Sequence, residues 1–142
     1  MERKEFIKTT CNFCLMGAAS LIIPSLVGCS PSLNVYKTVV NNKQIEVPLQ
    51  LFDKEDLQMV RPKGFEFDIA VQKNKDGNFI ALLMQCTHAD NEVQPSQNGF
   101  VCNAHGSKFD ANGKVLKGPA ALSLKQYKTS INNGNLIILI NS

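Results

Sequence analysis

The sequence predicts an all-β fold in which small antiparallel sheets stack as a sandwich. Three observations favour this fold class. Short stretches rich in β-branched and aromatic residues recur between Val35 and Ile140, turn-forming residues separate them, and the residues from Phe65 to Ile69 alternate between apolar and acidic side chains. Such alternation with a period of two is typical of a strand that buries one face.

Eight strands are expected in this part of the chain. They are Val35–Val40, Ile45–Leu49, Phe65–Lys73, Phe79–Gln85, Phe100–Cys102, Lys114–Leu116, Gln126–Ile131 and Leu136–Ile140. Two connections have the composition of hairpin turns, namely Asp76-Gly77 and the run from Asn132 to Asn135. The segment from Phe52 to Val60 has the weakest strand character, so we expect a loop or one helical turn there.

Length and charge limit the possible classes of function. A chain of 142 residues has room for one domain. The formal net charge is +3, and the basic residues are scattered rather than gathered in a stripe. This distribution argues against nucleic-acid binding. The sequence also lacks a Walker loop, a dinucleotide-binding fingerprint and a Ser/His/Asp set, and we predict no catalytic residue.

The first 28 residues have the layout of an export signal. Basic residues near the N-terminus precede an uncharged run from Thr9 to Val35, which includes Leu26-Val27-Gly28-Cys29. This tetrapeptide resembles the bacterial lipobox, and the resemblance implies cleavage before Cys29 and lipid attachment to that residue. We therefore expect a signal peptide over residues 1–28, a lipidated tether over 29–34 and the folded domain over 35–142. The domain would then be held at a bacterial membrane and face the periplasm or the exterior.

Other interpretations of the N-terminal segment stay open. The uncharged residues from Cys11 to Gly28 are long enough to form an uncleaved membrane anchor instead. The run from Arg3 to Lys8 resembles a twin-arginine export signal in which Lys4 replaces the second arginine, so the export route is also open. Cys11-Asn12-Phe13-Cys14 has the spacing of a redox pair, but no βαβ pattern surrounds it.

The two histidines of the chain each follow a cysteine by two or three residues. The pairs are Cys86 with His88 and Cys102 with His105, and thirteen residues separate them. One tight loop can turn both members of a pair inward, so two such loops can form a pincer. Two thiolates and two imidazoles are the ligands of an iron–sulfur cluster in which one iron binds cysteine and the other binds histidine. A zinc site is the alternative, although structural zinc sites usually pair like ligands.

The residues after the second pair continue a recognisable pattern. His105 is followed by Gly106-Ser107-Lys108-Phe109-Asp110, and the run Gly118-Pro119-Ala120 comes later. Together with the two pairs, these residues resemble the Rieske family. The resemblance implies a [2Fe-2S] cluster in a small subdomain made of two ligand loops and a proline loop. It also implies the ligands: one iron would bind Cys86 and Cys102, and the other would bind His88 and His105.

The resemblance assigns further residues and also has gaps. Ser107 would donate a hydrogen bond to a bridging sulfide, and Pro119 would lie in the loop over the cluster. High-potential members carry an additional cysteine in each ligand loop, and these two cysteines form a disulfide. Asn91 and Ala104 occupy those positions here, so this disulfide is not expected. Phe109 occupies the position of a tyrosine that donates to a cluster cysteine in those members.

The resemblance implies one-electron transfer by a membrane-attached protein. The expected role is the iron–sulfur component of a respiratory, quinol-oxidising chain of the cytochrome bc kind, with quinol, cytochrome b or cytochrome c as partner. Such a protein is not catalytic alone, although it could be a subunit of a quinol–cytochrome c oxidoreductase. The second hypothesis is a ferredoxin-like carrier that serves an oxygenase or another exported oxidoreductase, which fits the missing disulfide. A third is a redox-inert binding module stapled by zinc.

Overall fold

A computed structural model describes residues 33–141. This part of the chain is built almost entirely from β-strands, which confirms the predicted all-β fold. The expected signal peptide, the lipidated Cys29 and the Cys11/Cys14 pair lie outside the described residues. Within residues 33–141, no helix is both long enough and apolar enough to cross a bilayer.

The elements follow one another in a simple order. The strands are β1 (Val35–Thr38), β2 (Gln44–Pro48), β3 (Leu57–Pro62), β4 (Ile69–Lys73), β5 (Phe79–Leu83), β6 (Gln94–Ser96), β7 (Gly99–Val101), β8 (Lys108–Phe109), β9 (Val115–Lys117), β10 (Gln126–Asn132) and β11 (Asn135–Leu139). A short 3-10 helix, η1 (Leu49–Asp53), connects β2 and β3.

Two of the sequence predictions about strands are wrong. The segment expected to be a loop or helical turn contains η1, but its end from Leu57 to Val60 begins β3. Polar Gln58 is buried in this strand because its side-chain amide donates to the Leu51 carbonyl at 2.6 Å, which satisfies a group that the sequence pattern marks as exposed. The predicted strand Phe65–Lys73 starts only at Ile69, because the pairing with β3 ends where Ile69 meets Val60, and the residues before it form a bend.

The larger sheet has seven strands in the order β1-β3-β4-β5-β10-β11-β2. Strand β10 pairs with β5 through Gln126 and Tyr127 and with β11 through Lys128 to Asn132. It therefore joins the two halves of the sheet, which are β1, β3, β4 and β5 on one side and β11 and β2 on the other. The pairs are antiparallel except β1 with β3, which is parallel and corrects the expectation of purely antiparallel sheets. Both predicted hairpin turns are present, with Gly77 and Gly134 at positive φ.

The smaller sheet has four strands in the order β6-β7-β8-β9. The sequence predicted β7 and β9 but missed β6 and β8. Strand β6 contains Pro95, which lacks an N–H group and is tolerated because β6 is an edge strand. Strand β8 has only two residues, so it has no alternation to detect.

Two apolar cores share the central strands of the larger sheet. The first core lies within the larger sheet and contains side chains of both of its halves, such as Ile45 and Val60. The second core joins the other face of β3, β4 and β5 to the smaller sheet, where Leu82 and Phe100 pack in one cluster. Because β4 and β5 bury both faces, Ile69–Val71 and Phe79–Leu83 form continuous apolar runs rather than an alternating pattern.

Candidate metal centre

Three loops at the smaller sheet carry the candidate site residues. Ligand loop 1 (residues 86–91) lies between β5 and β6, and ligand loop 2 (residues 102–107) lies between β7 and β8. The proline loop (residues 118–124) lies between β9 and β10 and contains Pro119, which is exposed. Each predicted site residue of the described chain therefore belongs to one of these three loops.

The two ligand loops close with the same hydrogen bonds. In each loop the N–H of the cysteine donates to a carbonyl five residues later: Cys86 to Asn91 at 2.7 Å and Cys102 to Ser107 at 2.9 Å. The residue four positions after the cysteine, Asp90 or Gly106, donates its own N–H to the cysteine carbonyl at 3.0 or 2.9 Å. The loops therefore present their ligand pairs on matching backbone frames.

A left-handed residue makes this closure possible in both loops. Asp90 has a φ of 50° and Gly106 has a φ of 82°. Glycine adopts this region freely, and aspartate is one of the few other residues that does so at modest cost. The Asp90 carboxylate also accepts a hydrogen bond from the Gln85 amide at 3.0 Å, which helps to hold the turn.

The loops place thiols inside and imidazoles outside. Cys86 and Cys102 are 1% and 0% exposed and belong to the second core, and neither forms a disulfide. His88 and His105 are exposed, and their rings meet edge to face with centroids 5.0 Å apart. The four side chains thus form one inner pair and one outer pair.

The surroundings of Cys102 act on its thiol in opposite directions. Burial raises the pKa of the Cys102 thiol, and hydrogen bonding and charge interaction with the Cys86 thiol raise it further. Backbone hydrogen bonding from Ala104 and His105 opposes this rise and lowers the pKa of the same thiol. A cation that binds both sulfurs would favour their thiolate forms, because it offsets the burial and the repulsion between them.

Ser107 links ligand loop 2 to the proline loop. Its side chain is 0% exposed, and its hydroxyl accepts a hydrogen bond from the N–H of Ala120 at 3.0 Å. A hydroxyl has one proton to donate besides its acceptor sites, so this contact leaves the Ser107 proton available to another acceptor. Pro119 is adjacent to Ala120 and therefore lies beside this contact.

These side chains fit a [2Fe-2S] cluster whose two irons have different ligands. Soft thiolates bind iron beside sulfide, and two imidazoles complete the other iron in clusters of the mixed type. The buried pair of thiols and the exposed pair of imidazoles match that division. Residues 33–141 contain no group of three or more His, Cys, Asp or Glu side chains that could hold a single metal ion.

Sequence reasoning missed several residues that shape the site. Thr87 is one of them, since its hydroxyl donates to the Leu122 carbonyl at 2.6 Å. Asp110 forms a turn in which its carboxylate accepts from the N–H groups of Asn112 and Lys114, both at 2.9 Å. The Asp-x-x-Gly composition signals this turn, whereas nothing local signals the Thr87 contact.

An ion pair supports the approach to ligand loop 1. Arg61 binds the Asp68 carboxylate in a bidentate manner: its Nε donates to one oxygen at 2.6 Å and its Nη2 to the other at 2.7 Å. This carboxylate raises the pKa of Arg61 through hydrogen bonding and charge. The Asp68 carbonyl accepts the N–H of Met84 at 2.8 Å, and Met84 lies two residues before Cys86. The pair thus fixes the backbone from which the first ligand loop starts.

Comparison with known families identifies one match. A family model described as the Rieske [2Fe-2S] domain matches residues 40–128. The matched range is more than half of the chain, and it includes both Cys/His pairs and the proline loop.

Several relatives of known identity are similar to this chain. The cytochrome b6-f complex iron-sulfur subunit of Chlorobaculum thiosulfatiphilum is 35% identical over 82 residues, which cover 55% of this chain and 45% of the relative. The subunit of the same name from Synechococcus sp. (strain WH7803) is 44% identical over 55 residues, which cover 37% of this chain and 31% of the relative. The chain therefore spans less than half the length of these relatives.

Solved structures show the same fold. The cyanobacterial plasma membrane Rieske protein from Synechocystis PCC 6803 superimposes with a TM-score of 0.56 at 29% identity, and the match covers 66% of this chain and 96% of that one. A chain from the complex of oxygenase and ferredoxin in carbazole 1,9a-dioxygenase gives a TM-score of 0.54 at 19% identity, covering 70% and 95%. The second likeness is one of fold alone.

Proposed function

The chain belongs to the Rieske [2Fe-2S] domain family, and from that premise we propose that it transfers single electrons between redox partners at a membrane. The observation that carries the proposal is the arrangement of the two ligand loops, which have the same hydrogen-bonded frame and bring two buried thiols and two exposed imidazoles to one end of the domain. Four residues are proposed as ligands: Cys86 and Cys102 on one iron, and His88 and His105 on the other.

The cysteine and histidine side chains have different roles at this site. When bound, the cluster supplies a couple that gains and loses one electron. Cys86 and Cys102 are buried, so the second core keeps water away from the thiolate end. His88 and His105 are exposed, so a partner can approach the ring edges without displacing protein. We also propose that the Ser107 hydroxyl donates a hydrogen bond to a cluster sulfur, which favours the reduced, more negative state.

We further propose that the partners belong to a quinol-oxidising, bc-like chain, with a quinol or cytochrome b as donor and a cytochrome as acceptor. The similarity to cytochrome b6-f iron-sulfur subunits and to a plasma membrane Rieske protein supports this role and supports attachment to a membrane. The proposed attachment is lipid on Cys29 after removal of residues 1–28. The protein would then face the periplasm or the exterior.

A second candidate is a ferredoxin-like carrier for an oxygenase or another exported oxidoreductase. The observation in its favour is that both cysteines of the described chain are free thiols, so the ligand loops carry no disulfide. The two candidates share the cluster and the ligands, and they differ in the donor.

Spectra of the purified full-length protein test the cluster and its ligands. We expect the EPR spectrum of a reduced mixed-ligand [2Fe-2S] cluster and two iron atoms per chain. The cluster should be lost in each of four variants: Cys86→Ser, His88→Ala, Cys102→Ser and His105→Ala. It should be kept in Thr129→Val, a substitution in the larger sheet that serves as the control. A full complement of iron in any of the four variants would remove that residue from the ligand set, and zinc in the wild-type protein would refute the proposal.

The donor and the anchor need separate measurements. Rapid reduction by a quinol in membranes that contain the native cytochromes would support the bc-like role, and reduction only by a soluble reductase would support the carrier. Mass spectrometry of the membrane form should find a diacylated N-terminal Cys29, because two acyl chains give stable attachment. An intact Met1 would favour an uncleaved anchor instead.

A further inference from the structure

The proline loop forms a hydrogen bond with each ligand loop, at Ala120 and at Leu122, which are two residues apart. On one side, the Thr87 hydroxyl donates to the Leu122 carbonyl at 2.6 Å. On the other side, the Ala120 N–H donates to the Ser107 hydroxyl at 3.0 Å. Thr87 lies between the two proposed ligands of loop 1, and Ser107 lies two residues after His105 in loop 2. Each bond therefore acts directly on one ligand pair.

The two ligand loops are also joined by the pairing of β6 with β7, which lie between them in the chain, but this pairing includes no residue of either loop. Cys86 and Cys102 are free thiols, so no disulfide within residues 33–141 joins the loops. The Asn103 amide donates to the Gln94 amide oxygen at 3.3 Å, which links loop 2 to β6, but both side chains are exposed. Such a bond competes directly with water.

The contact made by Thr87 is better suited to fix a distance. Its side chain is half-buried and β-branched, so few rotamers are available to it. Its acceptor is a backbone carbonyl rather than a mobile side chain. Pro119 also restricts the backbone at the start of the short segment from Ala120 to Leu122, because its ring fixes φ.

We propose that Thr87 is a positioning residue, whose hydroxyl holds ligand loop 1 to the proline loop while Ser107 holds that loop to ligand loop 2. The two hydrogen bonds act in series, so the separation of the two imidazoles depends on both of them. This inference rests on the proposed function, since it assigns Thr87 a role in holding the cluster ligands. A series connection has a specific consequence: breaking either bond releases the tie, and breaking the second adds little.

The test compares Thr87→Val with Thr87→Ser in the full-length protein loaded with its cluster. Valine keeps the shape of threonine and removes the hydroxyl, and serine restores the hydroxyl. Thr129→Val is the matched control, because the Thr129 hydroxyl also donates to a backbone carbonyl, that of Phe79 at 3.0 Å, but in the larger sheet. The measurements are the EPR spectrum of the reduced protein and the rate at which a chelator removes iron.

Thr87→Val should broaden the EPR spectrum and release iron about fivefold faster than the wild-type protein, the factor expected for one lost hydrogen bond. Thr87→Ser and Thr129→Val should resemble the wild-type protein in both measurements. Loss of the cluster in Thr87→Val with retention in Thr87→Ser would equally support the role of the hydroxyl. Equal spectra and rates in Thr87→Val and wild type, or equal defects in the valine and serine variants, would overturn it.

A double-mutant cycle tests the series connection. In a Ser107→Ala background, Thr87→Val should leave the rate of iron release unchanged, because the tie is already broken. If the two substitutions acted independently, their factors would multiply, and the proposal would be wrong. A wild-type protein without iron and sulfide would instead refute the proposed function, so the two failures are distinguishable.

Discussion

The strands of the larger sheet are four to seven residues long, whereas β6 to β9 have two or three residues each. The larger sheet pairs long strands around the first core, with side chains from both of its halves in one cluster. The smaller sheet contributes a few large residues, such as Phe100 and Phe109, to the second core. Strands this short form few hydrogen bonds with their neighbours, so pairing alone does not stabilise the smaller sheet.

The smaller sheet depends instead on turns, close backbone contacts and its loops. Asp110 caps a tight turn with its carboxylate, and Gly99 lies so close to β8 that a Cβ atom would be 2.3 Å from the Phe109 carbonyl oxygen. Two of its buried side chains are the thiols proposed as ligands. The difference teaches that one sheet is stabilised mainly by apolar burial, and the other by local geometry around a metal centre.

The largest effect is expected when the cluster is removed. In Cys102→Ser, amide protection should fall in β6 to β9 and remain in β4, β5 and β11, with a local loss of about 4 kcal/mol or more. Native-state hydrogen exchange measures this difference. Treatment of the wild-type protein with a chelator should give the same pattern, and a uniform loss over both sheets would contradict the comparison.

A glycine in each sheet tests the close backbone contacts. Gly99→Ala should destabilise the protein by about 4 kcal/mol, because φ is 142° and the added Cβ would meet backbone atoms of β8. Gly134→Ala, in the hairpin between β10 and β11, has a φ of 78° and open space around it, so it should cost about 1 kcal/mol. Denaturant unfolding measures both values, and equal costs would show that the contact at Gly99 is not tight.

A pH dependence should arise from the larger sheet. Burial raises the pKa of Tyr127, which packs in the first core. Above about pH 10 the unfolded chain loses this proton while the folded protein retains it, so the free energy of unfolding should fall as the pH rises. Tyr127→Phe should reduce this loss between about pH 9 and about pH 11. An unchanged alkaline slope in Tyr127→Phe would exclude this cause.

The smallest effects concern the two ligand loops. Asp90→Gly should change the free energy of unfolding by less than about 1 kcal/mol, because relief of a φ of 50° is offset by loss of the hydrogen bond from Gln85 and by the flexibility of glycine in the unfolded chain. Gly106→Asp should destabilise the folded protein by about 1 kcal/mol, because it places a side chain at a φ of 82°. Thermal unfolding of the two variants measures both changes, and a larger loss in Asp90→Gly than in Gly106→Asp would contradict this account of the left-handed positions.

Much of this structure follows from local sequence. The apolar stretches predicted most of the strands of the larger sheet, whereas the alternating residues from Phe65 to Asp68 lie before β4. The Asn133-Gly134 turn is typical of a hairpin that needs positive φ. The spacing of the two Cys/His pairs predicted two ligand loops, and the structure places the two imidazole rings 5.0 Å apart and both thiols in the second core. Each of these features depends on residues that are neighbours in the chain.

Other features depend on residues that meet only after folding. Leu57 to Pro62 form a strand because they pair with β1 and β4, and β8 is a strand because β7 and β9 flank it. The parallel pairing of β1 with β3 and the contact of Thr87 with Leu122, 35 residues away, leave no trace in local composition. The sequence alone determined the strand-forming segments and the chemistry of the candidate ligands. Only the tertiary structure decided how the loops are held, because hydrogen bonds between distant segments have no periodicity to reveal them.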